Sequence, residues 1–131
     1  MTITAVEGSA VADLYQYEGF SEALHYRTDH PRPDVAAAIA TGGNGDIVGI
    51  AGVKADSETM WQIGVDVVAS ARGNGIGRAL VGHATRLILD RGKVPYYSTA
   101  ASHIRSRTVA VSVGYWPAWI ELYVRTTTTE L

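Results

Sequence analysis

The sequence contains no cysteine. Disulfides, thiolate zinc sites and a cysteine nucleophile are thereby excluded from any account of its chemistry. Histidine is scarce as well: His25, His30, His83 and His103 do not stand at metal-ligand spacings, so no metal is expected. No apolar run approaches the ~20 residues that a membrane-crossing helix needs. The first twenty residues carry Glu7, Asp13 and Glu18 and no basic cluster, unlike a secretory signal. A soluble, cytoplasmic protein with no membrane partner is expected. Hydrophobic residues make up 47% and charged residues 18%, enough apolar surface to exclude a disordered chain. The 131 residues suit one domain, 1–131, with no repeat or linker.

The net charge of −2 conceals an asymmetry. Residues 72–107 hold seven of the eleven basic side chains and a single acid, Asp90, so that this segment is +6 and the remainder −8. Either basic residues coat two solvated helices, or one half of the protein meets a polyanion and the other a cation. Nucleic acid is disfavoured as a partner, because the whole chain is acidic and the basic segment lacks interleaved aromatics.

Residues 2–6 are β-prone. Apolar residues at Val11, Leu14, Tyr15, Phe20 and Leu24 predict one or two helices between Ser9 and Leu24, broken at Gly19. Pro31 and Pro33 force a loop. Residues 35–40 read as a buried strand or a short helix. The turn Gly42-Gly43-Asn44-Gly45-Asp46 then joins that segment to a strand at Ile47–Val53. Met60–Val68 is the next strand. Ile76, Leu80, Ala84, Leu87 and Ile88 recur at helical spacing up to a stop at Gly92. Val94–Thr99 reads as a strand, Ser102–Val113 as a helix closed by Gly114, and Trp119–Arg125 as a last strand. Trp61, Trp116 and Trp119 are read as core rather than as a substrate platform. The order implies a mixed α/β sandwich with helices on the sheet faces.

Between the strand ending at Val68 and the helix starting at Ile76 stands Arg72-Gly73-Asn74-Gly75-Ile76-Gly77-Arg78. Three glycines there remove side chains and permit positive φ. The first helical turn offers unpaired N–H groups and the positive end of its dipole, and Arg72 and Arg78 add charge. A phosphate-bearing ligand is the economical reading; a plain flexible loop is the alternative, since Gly43-Asn44-Gly45 shows the same tripeptide in a mere turn. Neither the Walker string nor the dinucleotide fingerprint is present.

The string Arg72-x-x-Gly75-x-Gly77 resembles the Gln/Arg-x-x-Gly-x-Gly/Ala signature of the GNAT family of N-acetyltransferases, where it lies between the fourth strand and third helix. Trp61-Gln62-Ile63-Gly64-Val65-Asp66-Val67, Lys93-Val94-Pro95-Tyr96-Tyr97-Ser98-Thr99 and Gly114-Tyr115-Trp116-Pro117-Ala118-Trp119 extend the likeness over roughly residues 35–123. The resemblance implies a GNAT-like acyl-CoA N-acyltransferase fold, with a mixed, mostly antiparallel central sheet flanked by helices. It implies acetyl-CoA as acyl donor, with the pantetheine arm paired to the strand backbone near Val65 and Val67. The pyrophosphate would rest on Arg72, Gly73, Asn74, Gly75, Ile76, Gly77 and Arg78. The family's asparagine after the fifth strand is His103 here, and its frequent tyrosine acid falls at Ala110. Many members end with a seventh strand, for which little chain follows Trp119–Arg125; the strand is either missing or supplied by a partner subunit, and a homodimer shielding that edge is expected.

Without cysteine, direct attack of a small-molecule or peptide amine on the thioester in a ternary complex is favoured over an acyl-enzyme. Glu58 is either a general base, acting directly or through water, or a solvated turn carboxylate. Asp66 is either a base or an ordinary edge charge, and His103 either a catalytic acid or a solvated histidine. His25-Tyr26-Arg27-Thr28-Asp29 either lines the acceptor pocket or is simply a loop. The rival reading is a non-catalytic acetyl-CoA-binding sensor or interaction module of the same fold.

Overall fold

The computed structural model describes residues 1–98 and 104–118. Its centre is a five-stranded sheet of β1 (Thr2–Glu7), β2 (Asp34–Thr41), β3 (Ile47–Lys54), β4 (Met60–Val67) and β5 (Val94–Tyr97), arranged in chain order. The first four strands pair antiparallel and β5 joins β4 in parallel. That parallel step needs a crossover, which α1 (Ile76–Asp90) supplies, and α2 (Ile104–Ser112) follows β5. The sheet is thus mixed and mostly antiparallel, as expected.

Each face of the sheet has its own core. Ala36, Ala38, Ala40, Ala51, Val53 and Ile63 meet Ile76, Leu80, Val81, Ala84 and Ile88 of α1 on one face. On the other, Ala37, Ile39 and Ile50 meet Val11, Leu14, Phe20, Ala23 and Leu24. β2 is therefore apolar without alternation, and its ambiguous run of alanines is a strand buried on both sides.

The segment before β2 departs from the helical expectation. Gly8–Gln16 is a 3₁₀ helix, and Phe20–Leu24 is a single turn closed by the Leu24 N–H on the Phe20 carbonyl at 2.8 Å. Val11 and Leu14 are three apart and both buried, a spacing that the three-residue turn of a 3₁₀ helix aligns. The glycine loop consequently precedes the first α-helix of the chain rather than the third. Trp116 also departs from expectation: it is 88% exposed, not core, whereas Trp61 packs against the α1-side core. β5 occurs where expected, though shorter, and α2 lies within the expected helical range. Residue 103 and the strand expected at Trp119–Arg125, on which the dimer expectation rests, lie outside the described residues. Among the described residues no helix is long and apolar enough to cross a membrane, and no cluster of potential metal ligands occurs.

Candidate active site

After β4 the chain makes a 3₁₀ turn at Ala69–Ala71 and folds back on itself. Arg72 Nε donates to the Val67 carbonyl at 3.2 Å, and Asn74 Nδ2 donates to the Ala71 carbonyl at 3.1 Å. Gly73 and Gly75 sit at φ of +85° and +74°, the left-handed region where a Cβ is costly. A Cβ on either would meet nothing within 4 Å, so these glycines serve backbone conformation and leave open space outside.

Gly75 is the N-cap of α1 and has no side chain to cap with. The first hydrogen bond recorded back to the loop is from the Ala79 N–H to the Gly75 carbonyl, 3.1 Å. The N–H groups of Ile76, Gly77 and Arg78 thus point out of the helix end without an intrahelical acceptor. No acid occupies the first turn, and Arg72 and Arg78 are exposed beside it. Positive helix end, free amides and two guanidinium groups together can hold a doubly charged phosphate group.

The strand leading into this loop is open on one side. Pairing of β4 with β5 runs from Met60↔Val94 to Ile63↔Tyr97 and stops, leaving Gly64–Val67 without a partner there among the described residues. The direction of the amides follows from two bonds. Val68 N–H donates to the Val48 carbonyl of the β3 side at 2.9 Å, and Val94 N–H donates to the Thr59 carbonyl at 2.8 Å. Even-numbered residues of β4 therefore turn their main-chain groups to β3, and odd-numbered ones turn theirs to the β5 side. The N–H groups of Val65 and Val67 face the opening, and an extended, amide-bearing chain can pair with them as an added strand. Their side chains pack into the α1-side core, which fixes the strand's orientation.

On the opposite face of β4 the Phe20–Leu24 turn lies directly on the sheet. Asp66 Oδ2 accepts the N–H groups of Glu22 at 2.8 Å and Ala23 at 2.9 Å, and Lys54 Nζ donates to the Glu22 carbonyl at 2.5 Å. Of the two readings of Asp66 as base or edge charge, neither describes this: it caps a turn. Burial raises its pKa above the usual carboxylate value, against the opposing pull of the two N–H donors. A folded-state pKa above the unfolded value means that the folded protein binds the proton more tightly. This stabilisation is fully present below the unfolded pKa and is lost as pH rises through the folded one. Asp66→Asn can still accept both N–H groups through its amide oxygen. In urea titrations from mildly acidic to neutral pH, its midpoint relative to wild type is expected to rise with pH and then level off. A difference independent of pH would refute this.

Asp34, at the start of β2, ties down the remainder of the same layer: its Oδ2 accepts the Tyr15 hydroxyl at 2.7 Å and the His25 N–H at 2.8 Å. Burial lowers the pKa of His25, whose ring stacks on His30 at 3.7 Å. The segment expected at the acceptor side, His25 to Asp29, thus covers this layer, and its Arg27–Asp29 pair at 3.1 Å is solvent-exposed.

Val65, Val67 and Arg72, Gly73, Asn74, Gly75, Ile76, Gly77 and Arg78 follow one another from the open end of β4 through the loop into α1, with the Ile76 side chain buried in the α1-side core. Glu58 is at the other end of β4. It sits in the β3–β4 turn, where its carbonyl accepts Lys93 Nζ at 2.7 Å. From Met60, just beyond it, to Val65 the strand runs five residues, ~17 Å at the rise of an extended chain. His103 lies outside the described residues. Ala110 is in α2, where its carbonyl accepts the Tyr115 N–H at 3.1 Å, and the Tyr115 hydroxyl is 2.7 Å from Thr85 Oγ1.

The sequence profile described as the Acetyltransferase (GNAT) family matches residues 6–115. No curated protein sequence matches. Among solved structures, the chain is similar to the aminoglycoside acetyltransferase AAC(6')-Iy in complex with the bisubstrate analog CoA-S-monomethyl-acetylneamine. That likeness has 15% identity and a TM-score of 0.66 over 98% of this chain and 100% of the other. It is similar to a ribosomal-protein-alanine N-acetyltransferase from Brucella melitensis biovar Abortus 2308, at 14% identity and TM-score 0.63 over 96% and 100%. A third likeness is to an aminoglycoside acetyltransferase from an uncultured soil metagenomic sample in complex with trehalose, at 16% identity and TM-score 0.66 over 98% and 96%. Identities this low establish the fold.

Proposed function

Starting from the chain's membership of the acetyltransferase (GNAT) family, we propose that it transfers the acetyl group of acetyl-CoA to a primary amine by direct attack in a ternary complex. One observation carries the reading. A strand with two outward amides, Val65 and Val67, leads within ten residues to a helix end whose N–H groups have no acceptor. Such a track matches a ligand that has an amide-bearing arm at one end and a pyrophosphate at the other. In this reading Val65 and Val67 pair with the pantetheine arm. The amides from Gly73 to Arg78, the guanidinium groups of Arg72 and Arg78, and the ordered side chain of Asn74 form the pyrophosphate cradle. The CoA-bound state of similar solved structures supports it.

The chemistry asks for little from side chains. The amine nitrogen bonds to the thioester carbonyl carbon, and a backbone N–H on the open side of β4 stabilises the oxyanion. The carbon–sulfur bond then breaks, the nitrogen gives up a proton to solvent or a base, and the thiolate takes one. Glu58 is too far along the strand to be that base directly.

A second reading, a binding module without turnover, is favoured by Ala110 at the position of the family's tyrosine acid. Thiol release from acetyl-CoA across a series of polyamines, aminoglycosides, N-terminal peptides and anionic amino acids separates the two. The −8 charge outside residues 72–107 supports a cationic acceptor. Its KM is expected to rise between low and moderate salt while kcat holds, because screening weakens steering and not chemistry. Preference for anionic amines, or cationic turnover indifferent to salt, would overturn the acceptor class.

A further inference from the structure

Glu22 is a solvent-exposed residue whose main chain is held with unusual care. Its N–H donates to Asp66 Oδ2 at 2.8 Å and its carbonyl accepts Lys54 Nζ at 2.5 Å. Lys54 is 9% exposed and is the one buried charged side chain among the described residues. Beneath the peptide, Gly64 has no side chain, and a Cβ there would come within 1.9 Å of the Glu22 carbonyl oxygen. Docking the Phe20–Leu24 turn does not require these polar groups, because Phe20, Ala23 and Leu24 are themselves buried against the sheet. Burying an ammonium and half-burying a carboxylate is costly, and what the pair adds is a fixed position for one peptide unit. That is how a fold holds a functional side chain to a fraction of an ångström.

The position is informative. Glu22 lies over Gly64, and the next residue of β4, Val65, carries the first N–H that faces the opening. It lies on the face opposite α1, so it approaches the open strand from the side away from the helix end. The Lys54 ammonium bonds the Glu22 carbonyl, and among the described residues no cation pairs with the Glu22 carboxylate. Glu22's main chain is thus fixed one residue from the first open N–H of β4, and an unpaired carboxylate on such a base is suited to a charge-assisted hydrogen bond from an ammonium. We propose that Glu22 is the carboxylate that receives a non-reacting ammonium of a polyamine acceptor next to the acyl site, leaving the attacking amine free to be neutral, with the Lys54–Asp66 clamp as its positioning device. This rests on the acetyl-transfer reading and adds to it the residue that selects a cationic acceptor.

The test compares wild type, Glu22→Gln and Glu22→Ala with Asp13→Asn, a matched charge loss on the exposed part of the 3₁₀ helix. Steady-state kinetics with spermidine and with neomycin gives KM and kcat. Calorimetric titration of the same two probes into the CoA-saturated protein gives Kd without turnover. The expected result is at least a tenfold rise in KM and Kd for both Glu22 variants, kcat within threefold, an unchanged melting shift with acetyl-CoA, and wild-type behaviour of Asp13→Asn. Equal constants in Glu22→Gln and wild type, or equal losses in Glu22→Gln and Asp13→Asn, would overturn the assignment while leaving acetyl transfer intact. If no amine elicits thiol release from wild type, the catalytic reading falls and calorimetry alone decides Glu22. Probe binding that is lost in Glu22→Gln then supports it, and absence of probe binding to wild type overturns it.

Discussion

Replacing Gly75 by aspartate is expected to abolish the thermal stabilisation that acetyl-CoA confers, while the apo protein still melts cooperatively. A ligand at 100 times its dissociation constant adds about 2.7 kcal/mol to a fold that binds it only in the native state. Gly75 is the N-cap of α1, and its Cβ direction is open space, so the substitution meets no neighbour. Its φ of +74° costs an L residue something, but aspartate is among those that tolerate it. The introduced carboxylate would stand at the positive end of α1 and place negative charge where the pyrophosphate is proposed to sit. Gly75→Ala is the companion: it shares the backbone strain and lacks the charge, and part of the ligand shift should survive in it. A full ligand shift in Gly75→Asp would remove the loop from the proposed site.

The second large effect is on the other face of the sheet. Gly52→Ala would put a Cβ 1.7 Å from the Ala23 carbonyl oxygen, a backbone atom that a rotamer change cannot move aside. The Phe20–Leu24 turn would have to lift from β3 and β4, taking buried Phe20, Ala23 and Leu24 with it. We expect a loss of about 3 kcal/mol, the upper end for overpacking. Urea unfolding measures it, with Gly82→Ala as the contrast. Gly82 lies within α1 with nothing near its absent Cβ, so alanine there should add about 0.5–1 kcal/mol through helix propensity. Near-wild-type stability in Gly52→Ala would mean that the turn does not rest on the sheet as described.

These two faces also mark what could and could not be read from the sequence. The glycine loop was legible because its signal is local: positive-φ glycines, flanking arginines and a helix beginning at once are all encoded within seven residues. Whereas the alanine run at 35–40 fits a buried strand and a short helix equally well, the strands at 47–54 and 60–67 and the helix 76–90 were legible for the same reason, through apolar runs and a 3.6-residue period. The 3₁₀ helix was not, since Val11 and Leu14 at i, i+3 fit an α-helix equally well, and only the tertiary packing decides between them. Nor was the Lys54–Glu22–Asp66 clamp, whose members are 32 and 44 residues apart in sequence. A trace of it existed: Gly52 and Gly64 interrupt two apolar strands, and a glycine in a strand interior often marks close approach of another backbone. Glu58 stands before a strand, a local criterion that says nothing of which end of that strand a ligand would meet; the proposed site is at the other end. Trp116 has the aromatic character of a core residue, yet the turn after α2 leaves it in solvent.

The central claim is amine-dependent acetyl transfer, and the direct measurement is the product itself. Purified protein, acetyl-CoA and each amine of the series are incubated, and free thiol and N-acetylated amine are quantified in the same reaction. The account predicts that at least one cationic primary amine yields the two products in equal amounts, and that Gly75→Asp yields neither. Wild-type protein that is stabilised by acetyl-CoA yet releases thiol no faster with any amine than without one would contradict it.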